Sequence, residues 1–156
     1  MRGPAPRIGI FGSAFDPPHN AHVALVRAAL AQLALDLLLV FPTGQAWHKA
    51  RPLSEARHRL AMARLAFDGI ERVAVDEREL RRTGPTYTVD TLTEVQAQHP
   101  GAQLFLIVGG DQAAALAGWH RWRDILEIAT ISIASRGRPV LGKAGFDAED
   151  AGLDGQ

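Results

Sequence analysis

"GIFGSAFDPPHNAHVAL", residues 9–25, decides how the rest of the chain is read. An apolar run ends at Gly12. Two prolines follow, and then His19 and His22 open a segment with helical spacing. Gly9 and Gly12 are read as letting the backbone turn tightly and approach a ligand closely. A strand that turns into a helix start aims unpaired N–H groups back at the turn. Such an end favours an anion by about 0.3–1 kcal/mol. His19 and His22 stand three apart and share a helical face, so both can reach one phosphate chain. Two other readings stay open, a metal pair and a plain turn with surface histidines. The spacing is not the dinucleotide fingerprint G-x-G-x-x-G. A metal pair needs a third ligand, and His48, His58, His99 and His120 fall in no recognisable ligand spacing.

Outward from this stretch, short apolar runs alternate with helical patterns. Strands are expected at 7–11, 37–41, 72–75, 104–108 and 130–134. Helices are expected at 21–34, 55–67 with Ser54 as cap, 89–98, and 111–128 with a break near Gly118. The strands are continuous apolar runs, as in a parallel sheet covered on both faces. The fold class is therefore α/β, a doubly wound, Rossmann-like parallel sheet of five strands. Ligands of such folds bind at the carboxyl ends of the strands, where the strand order reverses. Residues 137–156 hold five glycines and no convincing period. They are expected to form a flexible tail after a domain spanning 1–136.

The totals narrow the function classes. A chain of 156 residues suggests one domain. Its formal net charge of zero argues against a broad field for nucleic acid or acidic membranes, so any anion needs a local site. The chain has no cysteine, which excludes disulfides, thiolate catalysis and zinc–thiolate sites. No apolar run exceeds five residues, against the ~20 that span a bilayer, and the first residues lack a signal-peptide core. A cytoplasmic protein is expected.

Further polar clusters follow the other strands. "PTGQAWHK" (42–49) offers His48 and Lys49; a solvated loop lysine is the plainer reading. "TGPTYTVDTL" (83–92) brings hydroxyls and one tyrosine to a helix start; capping by Thr88 or Asp90 is its structural alternative. "VGGD" (108–111) suits a ribose hydroxyl, or a helix start capped by Asp111. "WHRW" (119–122) spaces two tryptophans so that one packs on the sheet and an exposed one can stack on a flat ring. Four of the clusters, the opening stretch included, fall just after strands at one end of one sheet, and their coincidence weighs more than any one of them.

"GSAFDPPHNAH" resembles the G-G-x-F-D-P-x-H-x-G-H signature of the (H/T)xGH nucleotidyltransferases. With "WHK", "ELRRTGPTYTVDTL", "LIVGGDQ", "WHRW" and "IASR", the chain resembles bacterial nicotinate-mononucleotide adenylyltransferases from about residue 7 to 137. The resemblance implies adenylyl transfer from ATP to nicotinate mononucleotide, with Mg2+ as helper and no covalent enzyme intermediate. It implies that His19 and His22 are catalytic and bind the ATP phosphates. Gly12, Ser13, Ala14 and Phe15 would line the phosphate crevice, with Gly109 and Asp111 on the ATP side. His48 and Lys49 would neutralise phosphates. Thr86, Tyr87 and Thr88 would hold the nicotinate carboxylate, Trp119 would stack on the pyridine ring, and Arg136 would lie near the substrate phosphate.

Two departures from that pattern stand out. Ala21 occupies the glycine position before the second histidine, where a helical backbone makes the effect small. The family's I-S-S-T-x-[IV]-R block has no counterpart, since no serine or threonine follows Ser135 and the only arginines there are Arg136 and Arg138. An arginine on a transferring phosphoryl group is worth about 10³–10⁵ in rate, by analogy with arginine fingers. The expectation is a C-terminally truncated chain impaired in ATP use. A non-catalytic nucleotide-binding remnant is the alternative.

Overall fold

The computed structural model describes residues 5–13, 15, 18, 20–43, 55–82, 87–134 and 141–143. Its elements run β1 (Arg7–Ser13), α1 (Asn20–Gln32), β2 (Leu37–Pro42), α2 (Ala56–Phe67), β3 (Val73–Val75), α3 (Arg78–Arg81), α4 (Thr88–Gln98), β4 (Gln103–Gly109) and α5 (Gly110–Ala114). A 3-10 turn (Leu116–Gly118), α6 (Trp122–Ile128), β5 (Ala129–Ala134) and β6 (Leu141–Lys143) complete them. The sheet order is β3-β2-β1-β4-β5-β6. Its first five strands are parallel, and β6 pairs antiparallel with β5.

The apolar runs sort by parity. Ile8, Ile10, Leu39, Phe41, Leu104, Leu106, Val108, Ile131 and Ile133 face one side, against Val89, Leu92 and Val95 of α4 and Ile125 of α6. Phe11, Leu38, Val40, Phe105 and Ile107 face the other, against Val26 and Ala29 of α1 and Ala63 and Phe67 of α2. A two-residue period makes this unavoidable once both faces are covered. The expected doubly wound sheet is therefore the observed one.

Gly9 belongs to this packing and not to the turn. A Cβ there would stand 2.6 Å from Leu35 Cδ1 and 3.3 Å from both Leu38 Cγ and Ile107 Cδ1. Its hydrogen lets the α1–β2 connection close over β1. The nearest atom to a Cβ at Gly12 would be the Phe41 carbonyl oxygen at 3.5 Å, an ordinary contact. The two glycines read together in the sequence thus have different reasons to be there.

Other expectations are corrected in detail. The residue preceding α2 is Glu55, whose side chain makes no cap bond, and Ser54 lies outside the described residues. Neither Thr88 nor Asp90 caps α4: Tyr87 holds that position, again with no side-chain cap bond. The helical stretch 111–128 does break near Gly118, into α5, the 3-10 turn and α6, with Arg121 left-handed at φ 52°. Helix α3 was not expected, because four residues carry no readable period. Three residues of the segment expected as a tail, Leu141–Lys143, pair with β5 through their backbone. Strand β5 offers an open edge, and edge pairing needs no side-chain pattern. The remainder of 137–156 lies outside the described residues.

Filling the Gly9 site is an overpacking test. Gly9→Val should lower the unfolding free energy by about 1–3 kcal/mol, read as a shifted urea midpoint with an unchanged slope.

Candidate active site

The strand order places the switch point between β1 and β4. From β1 the chain winds outward through β2 and β3; from β4 it winds the other way through β5. In a sheet of this kind the place for a ligand is beyond the carboxyl ends of the strands on either side of that point. Gly12 and Ser13 end β1, and Gly109 ends β4. A Cβ at Gly110 would meet nothing within 4 Å, and one at Gly109 only Gln112 Oε1 at 3.9 Å. The Gly109 N–H donates to Gln112 Oε1 at 3.0 Å, which fixes the turn into α5. Asp111 lies within α5, not at its cap, and its side chain is outside what is described.

Helix α1 begins beside the end of β1. Asn20, Ala21 and His22 form its first turn, with no acidic side chain to compete for an anion. His22 is half-buried, and its ring meets Phe15 edge-on at 4.9 Å and Phe11 at 6.1 Å. Phe15 is 1% exposed at φ 51°, a left-handed backbone that costs a bulky residue about 1–3 kcal/mol. Its ring is locked edge-on to Phe11 at 5.6 Å and to Phe67 at 5.4 Å. Phe15 was expected to line the crevice with its backbone. Its side chain is a plug beneath α1 on which His22 rests, which leaves the backbone expectation untouched. Ala14 and His19 lie outside the described residues.

The end of β2 is tied to the same edge. The Thr43 N–H donates to the Ser13 carbonyl at 3.0 Å, and the buried Arg59 donates from Nη1 to the Thr43 carbonyl at 2.7 Å. His48 and Lys49 follow in residues outside the description, as do Thr86 and Arg136.

On the other face of the sheet, Tyr87 precedes α4 and Thr88 opens it. The Tyr87 ring stacks on His120, centroids 4.1 Å apart and planes 25° apart. Trp119 is half-buried and packs against the core; Trp122 is part-exposed, with the Arg123 guanidinium 5.1 Å from its ring centroid. The structure thus brings Tyr87, Trp119 and His120 into one neighbourhood. His120 had no assigned role. Its only signal in the sequence was its place inside "WHRW".

Behind Tyr87 stands a polar network that sequence reasoning missed. Arg78 grips Asp76 through Nε (3.0 Å) and Nη2 (2.8 Å), and reaches Glu94 at 3.4 Å and Gln98 at 2.7 Å. Burial pushes the Asp76 carboxyl up, but the Arg78 hydrogen bonds outweigh it and leave the pKa below its ordinary 3.8. Arg82 donates to Glu94 at 3.0 Å and to Thr91 Oγ1 at 2.8 Å. Thr91 Oγ1 donates in turn to Glu79 Oε2 at 2.5 Å. Burial pushes the Glu79 pKa above its ordinary 4.5, against the opposing Thr91 bond and Arg82 charge. Among the described residues no group of three or more His, Asp or Glu side chains is arranged to hold a metal ion. None of the helices described is long and apolar enough to cross a membrane.

The cytidylyltransferase-like family matches residues 10–149. The doubly wound sheet, with Gly12 next to the last residue of β1 and His22 in the first turn of the helix that follows, belongs to that class of domain. More narrowly, a protein of Albidiferax ferrireducens named probable nicotinate-nucleotide adenylyltransferase is 60% identical over 143 residues, or 92% of this chain and 72% of its own. One of the same name from Methylibium petroleiphilum is 43% identical over 133 residues, 85% of this chain and 63% of its own. The chain belongs to the nicotinate-nucleotide adenylyltransferase family. It spans less than two thirds of the second relative's length. The fold agrees with a Plasmodium falciparum nicotinic acid mononucleotide adenylyltransferase complexed with NaAD, at TM-score 0.71 and 20% identity, over 95% of this chain and 71% of that one.

Two measurements probe this arrangement. Phe15→Ala should cost about 3–5 kcal/mol of stability, the range for a buried aromatic, read by urea unfolding. Glu79 holds its proton to a higher pH when folded, so the folded state loses stability as pH rises from 4.5 through the raised value. Glu79→Gln lacks that slope. Its melting temperature relative to the parent chain should therefore climb over that window, and a flat difference would contradict the assignment.

Proposed function

We propose that this chain transfers the adenylyl group of ATP to nicotinate mononucleotide. A phosphate oxygen of the mononucleotide attacks the α-phosphorus of ATP. The new P–O bond forms as the bond to the β-phosphate bridging oxygen breaks, and pyrophosphate leaves with the electron pair. The products are nicotinate adenine dinucleotide and pyrophosphate. The observation that carries the reading is the packing of His22, in the first turn of α1, on Phe15 and on Phe11 of β1, the strand beside the switch point of the sheet order. The family membership supplies the substrates.

Little covalent work is asked of the protein. It has to align two phosphates and stabilise the charge that develops between them. His22 and the first N–H groups of α1 are assigned to the triphosphate, together with His19. Gly12, Ser13, Ala14 and Phe15 are assigned to it through their backbone. Gly109 and Asp111 contact the adenosine side, Asp111 at a ribose hydroxyl. On the acceptor side, Thr86, Tyr87 and Thr88 hold the nicotinate carboxylate, Trp119 stacks on the pyridine ring, and His48, Lys49 and Arg136 balance phosphate charge. Mg2+ enters as the counter-ion of ATP, since its phosphates supply the oxygen ligands it prefers. The reading assigns the reaction to the cytoplasm, with neither nucleic acid nor membrane as partner.

The test is pyrophosphate release from MgATP and nicotinate mononucleotide. The parent chain should release it, and His22→Ala should release it about 10²–10³-fold more slowly, the scale of one lost transition-state donor. Release by the variant within a few-fold of the parent would remove His22 from the chemistry. No release by the parent, with nicotinate mononucleotide still raising its melting temperature, would make this a binding domain. Equal rates with nicotinamide mononucleotide would sink the carboxylate assignment.

A further inference from the structure

Helix α4 starts where the proposed acceptor site is, and its apolar face alone does not set its rotation. Val89, Leu92 and Val95 bury against the sheet and fix its depth. Such contacts are non-directional and tolerate small slides. Thr91 is different. Only 1% exposed, it lies one helical turn beyond Tyr87, whose carbonyl accepts its N–H at 3.4 Å. Its hydroxyl donates to Glu79 on α3 and accepts from Arg82 just after α3.

Helix α3 is anchored in turn. The Arg78 guanidinium lies 5.6 Å from the Phe41 ring centroid near the end of β2, and grips Asp76, whose N–H donates to the Val40 carbonyl at 2.8 Å. A continuous chain of directional contacts therefore runs from the carboxyl edge of β2, through Asp76, Arg78, Glu94 and Arg82, to Thr91. It ends one turn from Tyr87, which stacks on His120 beside Trp119.

Stability alone does not account for this choice of residues. A valine would fill the same volume in an apolar site. A buried carboxylate with a hydroxyl partner carries a desolvation cost that well-packed apolar groups avoid. What a satisfied polar network adds is a unique orientation.

We propose that Thr91, held between Glu79 and Arg82, is a positioning residue that fixes Tyr87 and Thr88 at the angle the mononucleotide requires. This rests on the acceptor-side reading above. It touches no substrate and acts through the first turn of α4. Misplacement there weakens the mononucleotide and leaves ATP, bound across the sheet at α1 and β4, unaffected.

The experiment compares Thr91→Val with Thr91→Ser, using calorimetry of nicotinate mononucleotide alone and steady-state KM values for both substrates. Thr91→Val should raise Kd and KM for the mononucleotide about tenfold, with the ATP KM held within about twofold. Thr91→Ser, which keeps the hydroxyl, should restore the parent values. Unchanged mononucleotide affinity in a folded Thr91→Val, or a parallel loss for both substrates, overturns the positioning role. Should Thr91→Val fail to fold, Arg82→Gln, which leaves the Thr91–Glu79 bond in place, is judged by the same pair of KM values. A parent chain that binds no nicotinate mononucleotide overturns the proposed function itself; normal parent binding with an indifferent Thr91→Val overturns only this inference.

Discussion

Everything at the carboxyl edge follows from β1 being hydrogen-bonded on both sides. Ile8 to Ser13 register with Leu37 to Pro42 of β2, while Arg7 to Phe11 register with Gln103 to Ile107 of β4. A strand so paired has no free edge, and its apolar side chains, Ile8, Ile10 and Phe11, enter one core or the other. Gly9 is the residue at which one of those cores is too shallow for any side chain. The same pairing forces the connections of β1 and β4 to leave in opposite directions. The switch point is thus a topological consequence of the sheet, and the candidate residues lie on the segments that border it.

The two borders are held rigid by opposite means. On the α1 side, support is aromatic. Phe11, Phe15 and Phe67 meet edge-to-face, and their packing sustains a left-handed backbone at Phe15 that would otherwise relax. On the α4 side, support is polar, a relay of guanidinium, carboxylate and hydroxyl groups from Asp76 to Thr91. In the function proposed above, the difference matches what each side presents, an imidazole on one and the start of α4 on the other. An imidazole needs a firm surface beneath it. A row of backbone N–H groups at a helix start needs its rotation fixed, and only directional bonds do that.

The sequence made the sheet legible because its strands are buried on both faces. "LLLVF" and "LFLIV" admit no exposed alternative, and the observed strands extend those runs by a residue or two. Element α3 was illegible for the opposite reason. Arg78–Arg81 has no apolar period, and what holds it is the partner set of Arg78 and Glu79 from distant positions. Strand β6 depends on the open edge of β5, a property of another segment. The candidate site divides the same way. The turn after β1 and the glycines after β4 were visible as motifs. That Phe15 points inward, that Gly9 serves packing, and that His120 meets Tyr87 are facts about contacts across the fold. No local pattern contains them.

The polar relay also explains why the block "ELRRTGPTYTVDTL" carries charged residues far from any proposed substrate contact. Glu79 and Arg82 precede the turn, and Thr91 follows it. The bonds of Thr91 to Glu79 and Arg82 join α3 and the residue after it directly to α4. The buried carboxylate that this requires is disfavoured in isolation, as its raised pKa records. Its hydrogen bond from Thr91 and the nearby Arg82 charge make it tolerable only in this arrangement. The anchoring of Thr91 and the upward shift of the Glu79 pKa therefore belong to the same buried site.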